Sequence, residues 1–241
     1  MTSGATHRSR LALILMTLAA VAGVILFSGL GIWQVQRLHW KTDLIARVEA
    51  RLAADPVPAP GPETWAGIAA GPDEYRRVQV AGQYDFADEV LAQAVTERGA
   101  GYWVMTPMRS DQGWTVWINR GFVPQDRRDA QGRSRPEGPV TVAGLLRISQ
   151  PGGGFLRQND PDAGRWYSRD VAALSARYGI QDAAPYFIDA GPGTVADALP
   201  MGGLTVVRFR NSHLSYALTW FALAIGLAAG AWHVLRRGPA D

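Results

Sequence analysis

Histidine is the first residue type to examine for chemistry in this 241-residue sequence, because the chain contains no cysteine. The absence of cysteine removes disulfides, thiolate metal sites and cysteine nucleophiles from consideration. The four histidines are His7, His39, His213 and His233, and no two of them have the spacing of a zinc-protease motif. There is no G-x-S-x-G motif either. A catalytic site needs both a base and a nucleophile, and since neither is evident we expect no enzymatic activity.

Three aspartates, Asp160, Asp162 and Asp170, lie close enough in sequence to be read as paired carboxylates. A structural interpretation is simpler. Asp170 precedes the helical pattern Val171–Tyr178, and aspartate is a preferred residue at a helix N-terminus. We therefore interpret the three as turn residues and a helix cap.

His213 is the imidazole whose position most favours a function. It begins the apolar segment 213–235, and ionisable groups at membrane depth are functional candidates by default. A neutral imidazole is also a common axial ligand of haem iron. Tyr216 and Trp220 follow one and two turns later on nearly the same helix face, where they offer an aromatic wall. The alternative is that His213 is an ordinary solvated residue at the start of a helix.

The other histidines are weaker candidates. His233 is 20 residues further along the same segment, which is about 30 Å along a helix axis. His233 and His213 therefore cannot bind the same haem within one chain. We interpret His233 as an interfacial anchor beside Trp232. His39 lies just past the first apolar segment, on the membrane face of His213, and would come close to it if the two segments pack as a hairpin.

Two apolar segments, residues 11–32 and 213–235, must position these side chains. Each has the length of roughly 20 residues that crosses a bilayer. For the first segment the alternative is a cleaved signal peptide, with basic residues before it and Ala20–Ala22 as a cleavage site. The apolar run continues to Ile32, beyond the length of a normal signal peptide, which favours a membrane span.

Small residues recur every four positions in the second segment, at Ala222, Gly226 and Gly230. Such a stripe lets another helix approach closely. We predict that it packs against the first span or against a helix of another protein, with ordinary span composition as the alternative.

The charges outside the spans indicate a topology. Arg8, Arg10, Arg236 and Arg237 make the two short tails basic, and the positive-inside rule places such tails in the cytoplasm. We expect a multi-pass protein of the cell (inner) membrane with its central domain in the periplasm. The net charge of +3 is too small and too scattered to indicate nucleic-acid binding. Because of the two apolar segments, membrane lipid is the expected partner.

The central part of the chain predicts a mainly antiparallel β domain of the α+β class, barrel-like or sandwich-like, with a small helical insert. The predicted order is a cytoplasmic tail (1–10), transmembrane helix 1 (11–32), a juxtamembrane helix (33–54), a Pro-rich linker (55–72), the β-rich domain (73–212), transmembrane helix 2 (213–235) and a second tail (236–241). The predicted strands are Arg76–Tyr84, Val90–Val95, Gly101–Met108, Trp114–Phe122, Val140–Ile148, Tyr186–Asp189 and Leu204–Phe209. The predicted hairpin turn is Ser110–Gly113, the predicted helix is Val171–Tyr178, and the stretch Pro151–Gly154 is interpreted as a flexible loop.

A series of motifs, in this order and with a span at each end, resembles the Surfeit locus family, membrane proteins that assist the assembly of haem a-containing terminal oxidases. The motifs are Gly31–Arg37 followed by Trp40–Lys41, Val80–Tyr84, Ile118–Pro124, Trp166–Asp170, and Asn211–Tyr216 with Thr219–Trp220.

This resemblance implies a function in oxidase assembly, namely the binding of haem a and its insertion into oxidase subunit I, with haem a synthase as a further partner. It also implies that His213 is the axial ligand of the haem iron. His39 matches no family motif, which weighs against a second histidine ligand. The alternative is a scaffold that binds oxidase intermediates through protein contacts only, with His213 structural.

Overall fold

The computed structural model describes residues 3–129, 131–154, 157–193, 198–205, 207, 209 and 211–237, with the backbone alone for residues 3–10. The helices of this part are α1 (Ser3–Ala53), α2 (Ala70–Asp73), α3 (Val171–Arg177) and α4 (His213–Arg237). The strands are β1 (Val57–Pro58), β2 (Arg77–Tyr84), β3 (Val90–Thr96), β4 (Gly99–Ser110), β5 (Thr115–Pro124), β6 (Val140–Ile148), β7 (Gly153–Gly154), β8 (Arg157–Gln158) and β9 (Ala183–Ala190). Single 3₁₀ turns occur at Trp65–Gly67 and Gln125–Arg127.

The chain divides into two compact units. One consists of Met1–Arg47 together with Arg208–Asp241, and the other of Val48–Val207. The first contains two helices with segments long and apolar enough to cross a membrane, Leu11–Ala53 and His213–Arg237. The second is a mainly β domain. The predicted fold class, two apolar helices flanking a β-rich domain, is confirmed.

Helices α1 and α4 pack as an antiparallel pair, because successive contacts run up one helix and down the other. Gly23 faces Leu227, Phe27 stacks on Trp220 with ring centroids 5.7 Å apart, and Gly31 faces Phe221. Each helix carries a series of partly or fully buried residues at alternating intervals of three and four. On α1 the series is Leu13, Thr17, Ala20, Val24, Phe27, Gly31 and Gln34, and on α4 it is His213, Ala217, Trp220, Ala224, Leu227 and Ala231. Further partly buried residues flank the series, among them Gly23 and Ser28 on α1 and Phe221 on α4. This spacing is the heptad pattern of knobs-into-holes packing, which gives a left-handed pair in membranes as in water.

Small residues in this seam leave space for large side chains of the partner helix. Ala217 and Ala224 are the buried residues of α4, and Gly31 is buried on α1. A Cβ atom on Gly31 would lie 2.6 Å from the Phe221 ring, so the aromatic knob occupies the space that the glycine leaves. Side-chain volume is therefore distributed so that a large residue on one helix meets a small residue on the other.

The stripe of Ala222, Gly226 and Gly230 does not face α1, so the first partner predicted for it is wrong. Ala222 is exposed, and a Cβ atom on Gly226 or Gly230 would meet nothing within 4 Å. The physical reason is which face of α4 contacts α1. That face follows the seven-residue repeat through Ala217 and Ala224, and the stripe lies on a different side of the helix. Whether a helix of another protein covers the stripe stays a prediction.

The β domain is built on a sheet with the order β1-β2-β6-β9-β5-β4-β3, which closes on itself because β2 also pairs with β4. Gly82 pairs with Ser110 and Tyr84 with Met108 at this closure. Strand β3 covers the other half of the same edge of β4, from Val90 opposite Met105 to Thr96 opposite Gly99. Closure into a barrel removes most of the free edge that an open sheet would expose. The pairing is antiparallel apart from β1 with β2 and β5 with β9.

Apolar residues alternate along the strands and so form two cores. One set, including Val80, Ile118 and Ile188, makes the core cluster on one face of the sheet. Their neighbours on the other face, including Trp117 and Phe187, pack with α3 and β3. Strand β5 is buried on both faces, from Thr115 to Val123. It is the strand on which the two cores meet.

Most of the predicted strands and the helix are present within a few residues. The turn at Ser110–Gly113 is confirmed, with Gly113 donating to the Ser110 carbonyl at 2.9 Å. Asp170 caps α3 by accepting from the Ala173 amide at 3.1 Å, as predicted. The strand predicted over Leu204–Phe209 is wrong for the four of its residues that the structure describes, none of which is extended in a ladder; Val206 and Arg208 lie outside the described residues.

Two stretches interpreted as irregular take part in the sheets. Val57–Pro58, in the Pro-rich segment, pairs in parallel with β2, and the nearby Ala59 joins the core. Gly153–Gly154 pairs with Arg157–Gln158 rather than forming a flexible loop. Proline is tolerated at such an edge because its missing N–H is not needed there.

We predict that replacing Gly31→Leu separates α1 from α4, because the added side chain occupies the space of the Phe221 ring. The chain has no cysteine, so a Gly23→Cys, Leu227→Cys pair provides a single disulfide whose yield under mild oxidation reports the helix pairing. We expect Gly31→Leu to lower that yield severalfold.

The matched control is Gly29→Leu, two residues away on α1, where a Cβ atom meets nothing within 4 Å. Gly226→Leu is the corresponding control on α4. Equal crosslinking in the Gly31 and Gly29 variants would contradict the described packing.

Candidate functional site

His213 and Gln34 form a polar pair inside the helical unit. The Nδ1 atom of His213 lies 2.8 Å from Oε1 of Gln34. His213 is the first residue of α4, and Gln34 occupies the α1 side of the same seam, one turn beyond Gly31. Both side chains are half-buried. A polar pair between helices at this depth is worth about 0.6–2 kcal/mol, and its geometry is held by the packing around it.

The pair lies at one end of the apolar part of the helices. Gln34 follows the apolar run 11–32, and the exposed Trp33 and Trp40 flank it. The Arg37 guanidinium lies 4.6 Å over the Trp40 ring. Arginine and tryptophan at the end of an apolar run are typical of a membrane–water interface. On α4 the Arg236 guanidinium lies 4.3 Å over Trp232 at the opposite end.

The three residues predicted to contact a cofactor do not share one surface. His213 and Trp220 lie on the α1-facing side of α4, and Trp220 is stacked on Phe27 at an interplanar angle of 23°. Tyr216 is 56% exposed on the flank of the helix. Ala217, between them, is almost fully buried against α1. Tyr216 therefore has surface free for a bound molecule, and Trp220 has one ring face already occupied.

The residue that meets His213 is Gln34, not His39. The helices do pack as a hairpin, but His39 is exposed and lies five residues beyond Gln34, about 140° around the helix. His233 is also exposed, near the other end of α4. His7 lies where only the backbone is described.

The β domain contains a buried carboxylate that binds side chains from four other segments of the chain. Asp189 on β9 is 3% exposed. Its Oδ1 accepts from Asn119 Nδ2 at 2.7 Å and from Arg169 Nη1 at 3.0 Å. Its Oδ2 accepts from Arg147 Nη1 at 2.6 Å and from Thr205 Oγ1 at 2.8 Å. All acceptor positions are used, which is the condition under which a buried charge is tolerated.

Burial and the negative charge of Asp189 act in opposite directions on the pKa of Arg147 and of Arg169. Burial lowers the pKa of Arg169, and the nearby Arg147 adds to that effect. Burial also acts against the charge of Arg147, but Asp189 and then Tyr75 outweigh it and raise its pKa. Glu74, which accepts from Arg147 Nε at 3.2 Å, supplies a second negative charge. The group is balanced, with two acids and two bases.

A second buried carboxylate, Glu89, is surrounded by arginines. Its Oε2 accepts from Arg120 Nη1 at 2.9 Å and from Thr106 Oγ1 at 3.0 Å, and its Oε1 lies 3.2 Å from Arg133 Nη2. Arg120 also donates to the Ser134 carbonyl and lies 5.1 Å over the ring of Tyr84. Burial raises the pKa of Tyr84 to about 12, against the opposing effect of Arg120.

These two carboxylates explain polar residues in the motifs of the central domain. Asn119 and Arg120, from the motif Ile118–Pro124, anchor Asp189 and Glu89 respectively. Arg169, from the motif Trp166–Asp170, is a second donor to Asp189. Gly121 has φ +134°, and a Cβ atom there would lie 2.2 Å from the backbone of Met201. The motifs thus hold the barrel together, and in the described part of the chain no three His, Cys, Asp or Glu side chains are grouped as a metal site.

Sequence reasoning missed Gln34, Glu89 and Asp189. Asp189 carried a signal, since it is an acidic residue within an otherwise apolar strand, and such a residue is buried only with partners. Glu89, next to the strand that begins at Val90, carried a similar one. Gln34 carried no signal in the sequence beyond its place in the motif Gly31–Arg37.

The fold and the polar pair define a class of protein: two apolar helices that pack antiparallel, with a β-barrel domain in the sequence between them. Comparison with known sequences identifies the family. The model of the SURF1 family matches residues 21–225, and the chain belongs to that family.

Three relatives show the extent of the similarity. The chain is 36% identical over 218 residues to Surfeit locus protein 1 of Homo sapiens, covering 81% of this chain and 69% of the relative. It is 35% identical over 214 residues to Surfeit locus protein 1 of Rattus norvegicus, covering 81% and 67%. It is 34% identical over 225 residues to the SURF1-like protein of Monosiga brevicollis, covering 87% and 83%.

We predict that Asp189→Ala strongly destabilises the β domain, because it leaves two guanidinium groups buried without their carboxylate. Breaking a buried ion pair on one side costs about 3–5 kcal/mol, which corresponds to a fall of on the order of 10 °C in Tm for a domain of this size. Thermal unfolding of the purified protein in detergent, followed by near-UV circular dichroism, measures it.

The control is Asp162→Ala, at an exposed position in a loop. A surface substitution of this kind changes stability by less than about 0.5 kcal/mol. A change of about 0.5 kcal/mol in stability shifts Tm by about 2 °C. If the Tm of Asp189→Ala lies within about 2 °C of the Tm of the control, the network does not stabilise the fold.

Proposed function

We propose that this chain is an assembly factor for a haem a-containing terminal oxidase, that it binds haem a through His213, and that it helps insert the haem into oxidase subunit I. Membership of the SURF1 family supports the assembly role, through the family resemblance described above. Haem a synthase is the proposed donor. The protein acts by transfer and not by turnover.

The observation that carries the haem proposal is the state of the His213 ring. Its Nδ1 is bonded to Gln34, while Nε2 has no hydrogen-bond partner among the described residues. An imidazole with one nitrogen held by the protein and the other free is the usual arrangement of a histidine metal ligand. A haem iron bound there would supply a coordination site for Nε2 and a large planar apolar surface.

The residues around His213 fit such a group. Tyr216 and Leu214 are 56% and 55% exposed, so apolar and aromatic surface is available beside the imidazole. Trp220, fixed by stacking on Phe27, supports the helix two turns further on. A single imidazole ligand gives moderate affinity and leaves an open position on the iron, and both properties suit a carrier that must release its cargo.

The location of the protein is part of the proposal. Arginines lie near the end of each span away from His213: Arg8 and Arg10 precede the apolar run of α1, and Arg236 and Arg237 close α4. On the positive-inside rule, the proposed orientation has the tails in the cytoplasm and the β domain in the periplasm of a cell (inner) membrane. Haem a would thus be held near the periplasmic surface.

We predict that His213→Ala removes the bound haem while the protein still accumulates in the membrane. Alanine favours a helix at least as well as histidine, so insertion is expected to persist. Haem a that co-purifies from cells making haem a should fall at least about tenfold, because loss even of a residue that supports a metal ligand lowers metal affinity 10–100-fold. Oxidase activity should fall with it.

The control is His233→Ala, an exposed histidine on the same helix, which should change neither quantity. Full haem a content with an unchanged absorption spectrum in the His213 variant would make the ligand assignment wrong. A protein-binding scaffold would then be the better function.

The topology is testable with single cysteines in this cysteine-free chain. Arg98 is exposed at the turn between β3 and β4, and Arg237 is exposed at the end of α4. In spheroplasts, a membrane-impermeant maleimide should label Arg98→Cys at once and Arg237→Cys only after the membrane is opened. The reverse pattern would place the β domain in the cytoplasm.

A further inference from the structure

Gln34 contacts His213 through an atom that can only accept a hydrogen bond. Its Oε1 lies 2.8 Å from Nδ1 of the imidazole, which is normal hydrogen-bond distance. A neutral imidazole carries one N–H, and a bond to a carbonyl oxygen requires that this N–H be on Nδ1. The lone pair is then on Nε2, which has no partner among the described residues.

We propose that Gln34 is a positioning residue for His213: it selects the Nδ1–H tautomer and fixes the ring so that Nε2 is the nitrogen available to iron. This inference rests on the proposed function, in which His213 binds haem a. Without an acceptor at Nδ1, a neutral imidazole in water favours the other tautomer, with its proton on Nε2. That tautomer cannot bind a metal through Nε2 until the proton moves.

The packing explains why Gln34 can do this. The Phe221 ring occupies the space beside Gly31, which lies one turn before Gln34. Phe27, two turns before Gln34, is stacked on Trp220. These contacts set the rotation and the register of α1 against α4. Gln34 and His213 are 179 positions apart in the sequence, yet the seam brings them together. The first-span motif and the second-span motif thus meet in one hydrogen bond.

A neutral amide in this position has a consequence for affinity. A carboxylate that accepts from a metal-bound histidine raises the basicity of the ligand, and an amide carbonyl does so less. A carboxylate at the membrane interface would also be more costly to bury than an amide. The two cations nearest along α1 are engaged elsewhere, Arg37 over Trp40 and Lys41 5.1 Å over Phe209. Gln34 therefore orients the ligand but raises its basicity less than a carboxylate would, which suits release.

The experiment compares Gln34→Leu and Gln34→Glu with the control Gln36→Leu. Gln36 is on the same helix, exposed, and outside the seam. Purified protein in detergent is titrated with haem a, and the affinity and the midpoint potential of the bound haem are measured. Gln34→Leu should weaken binding by about 10–100-fold. Gln34→Glu should retain binding and shift the midpoint potential to lower values, because the carboxylate stabilises the ferric state.

A second measurement needs no haem. Nitrogen-15 NMR of labelled histidine distinguishes the two tautomers, and the signals of His213 are identified by their loss in His213→Ala. The wild type and Gln36→Leu should show the proton on Nδ1, and Gln34→Leu should show it mainly on Nε2. The crosslink between Gly23→Cys and Leu227→Cys, introduced into Gln34→Leu, verifies that the helices still pair.

The possible outcomes separate this inference from the proposed function. If His213→Ala abolishes haem binding but Gln34→Leu leaves the tautomer, affinity and potential unchanged, Gln34 has no positioning role and the haem proposal stands. A proton on Nε2 in the wild type would overturn the inference directly. If His213→Ala binds haem a like the wild type, the ligand assignment fails and the positioning role fails with it.

Discussion

The side-chain packing of α1 against α4 is the constraint on which the candidate site depends. In a bilayer there is no hydrophobic gain from bringing two apolar helices together, so packing and interhelical hydrogen bonds must hold them. Gly31 and Gly23 leave space that Phe221 and Leu227 occupy, and Phe27 stacks on Trp220. The same packing brings Oε1 of Gln34 to 2.8 Å from the Nδ1 atom of His213.

The β domain meets a different constraint, that of burying charge. Two carboxylates lie inside it, and each is bonded to groups from distant parts of the chain. Asp189 joins β5, β6, β9 and the segments at Arg169 and Thr205, and Glu89 joins β5 to the chain at Arg133. Removing one partner leaves the others unpaired, so the stability of each group depends on the rest of the network. Motif residues in this domain therefore have a structural reason to exist, independent of any ligand.

Local patterns in the sequence were sufficient to predict most of the longer strands, the turn at Ser110–Gly113 and the cap at Asp170. Alternation, turn residues and capping depend on neighbours in sequence. The closure of β2 on β4 and the parallel pairing of β5 with β9 join distant segments, and no local pattern contains them. At the candidate site, position made His213 a candidate with a solvated residue as the alternative, and the family resemblance favoured its role as a ligand. Its partner Gln34 was not predictable, because the rotation of one helix against the other decides which α1 residue faces it.

The small-residue stripe shows the same limit. Two sets of small residues on α4 have helical spacing, one at Ala222, Gly226 and Gly230 and the other at Ala217 and Ala224. Spacing alone does not choose between them. The choice follows from the contacts with α1, because Phe221, Leu227 and Trp220 make those contacts from the side of α4 that carries Ala217 and Ala224. A seven-residue repeat shared by both helices would have selected the correct face.

Interdigitation of the two helices also makes their relative displacement discontinuous. A helix that slides past its partner must lift each knob out of its hole, and the seam is restored only after a full seven-residue repeat, about 10 Å along the axis. Intermediate positions lose both the packing and the contact between Oε1 and Nδ1. The hydrogen bond between Gln34 and His213 therefore belongs to one register of the two helices, and a shift of either helix along its axis breaks it.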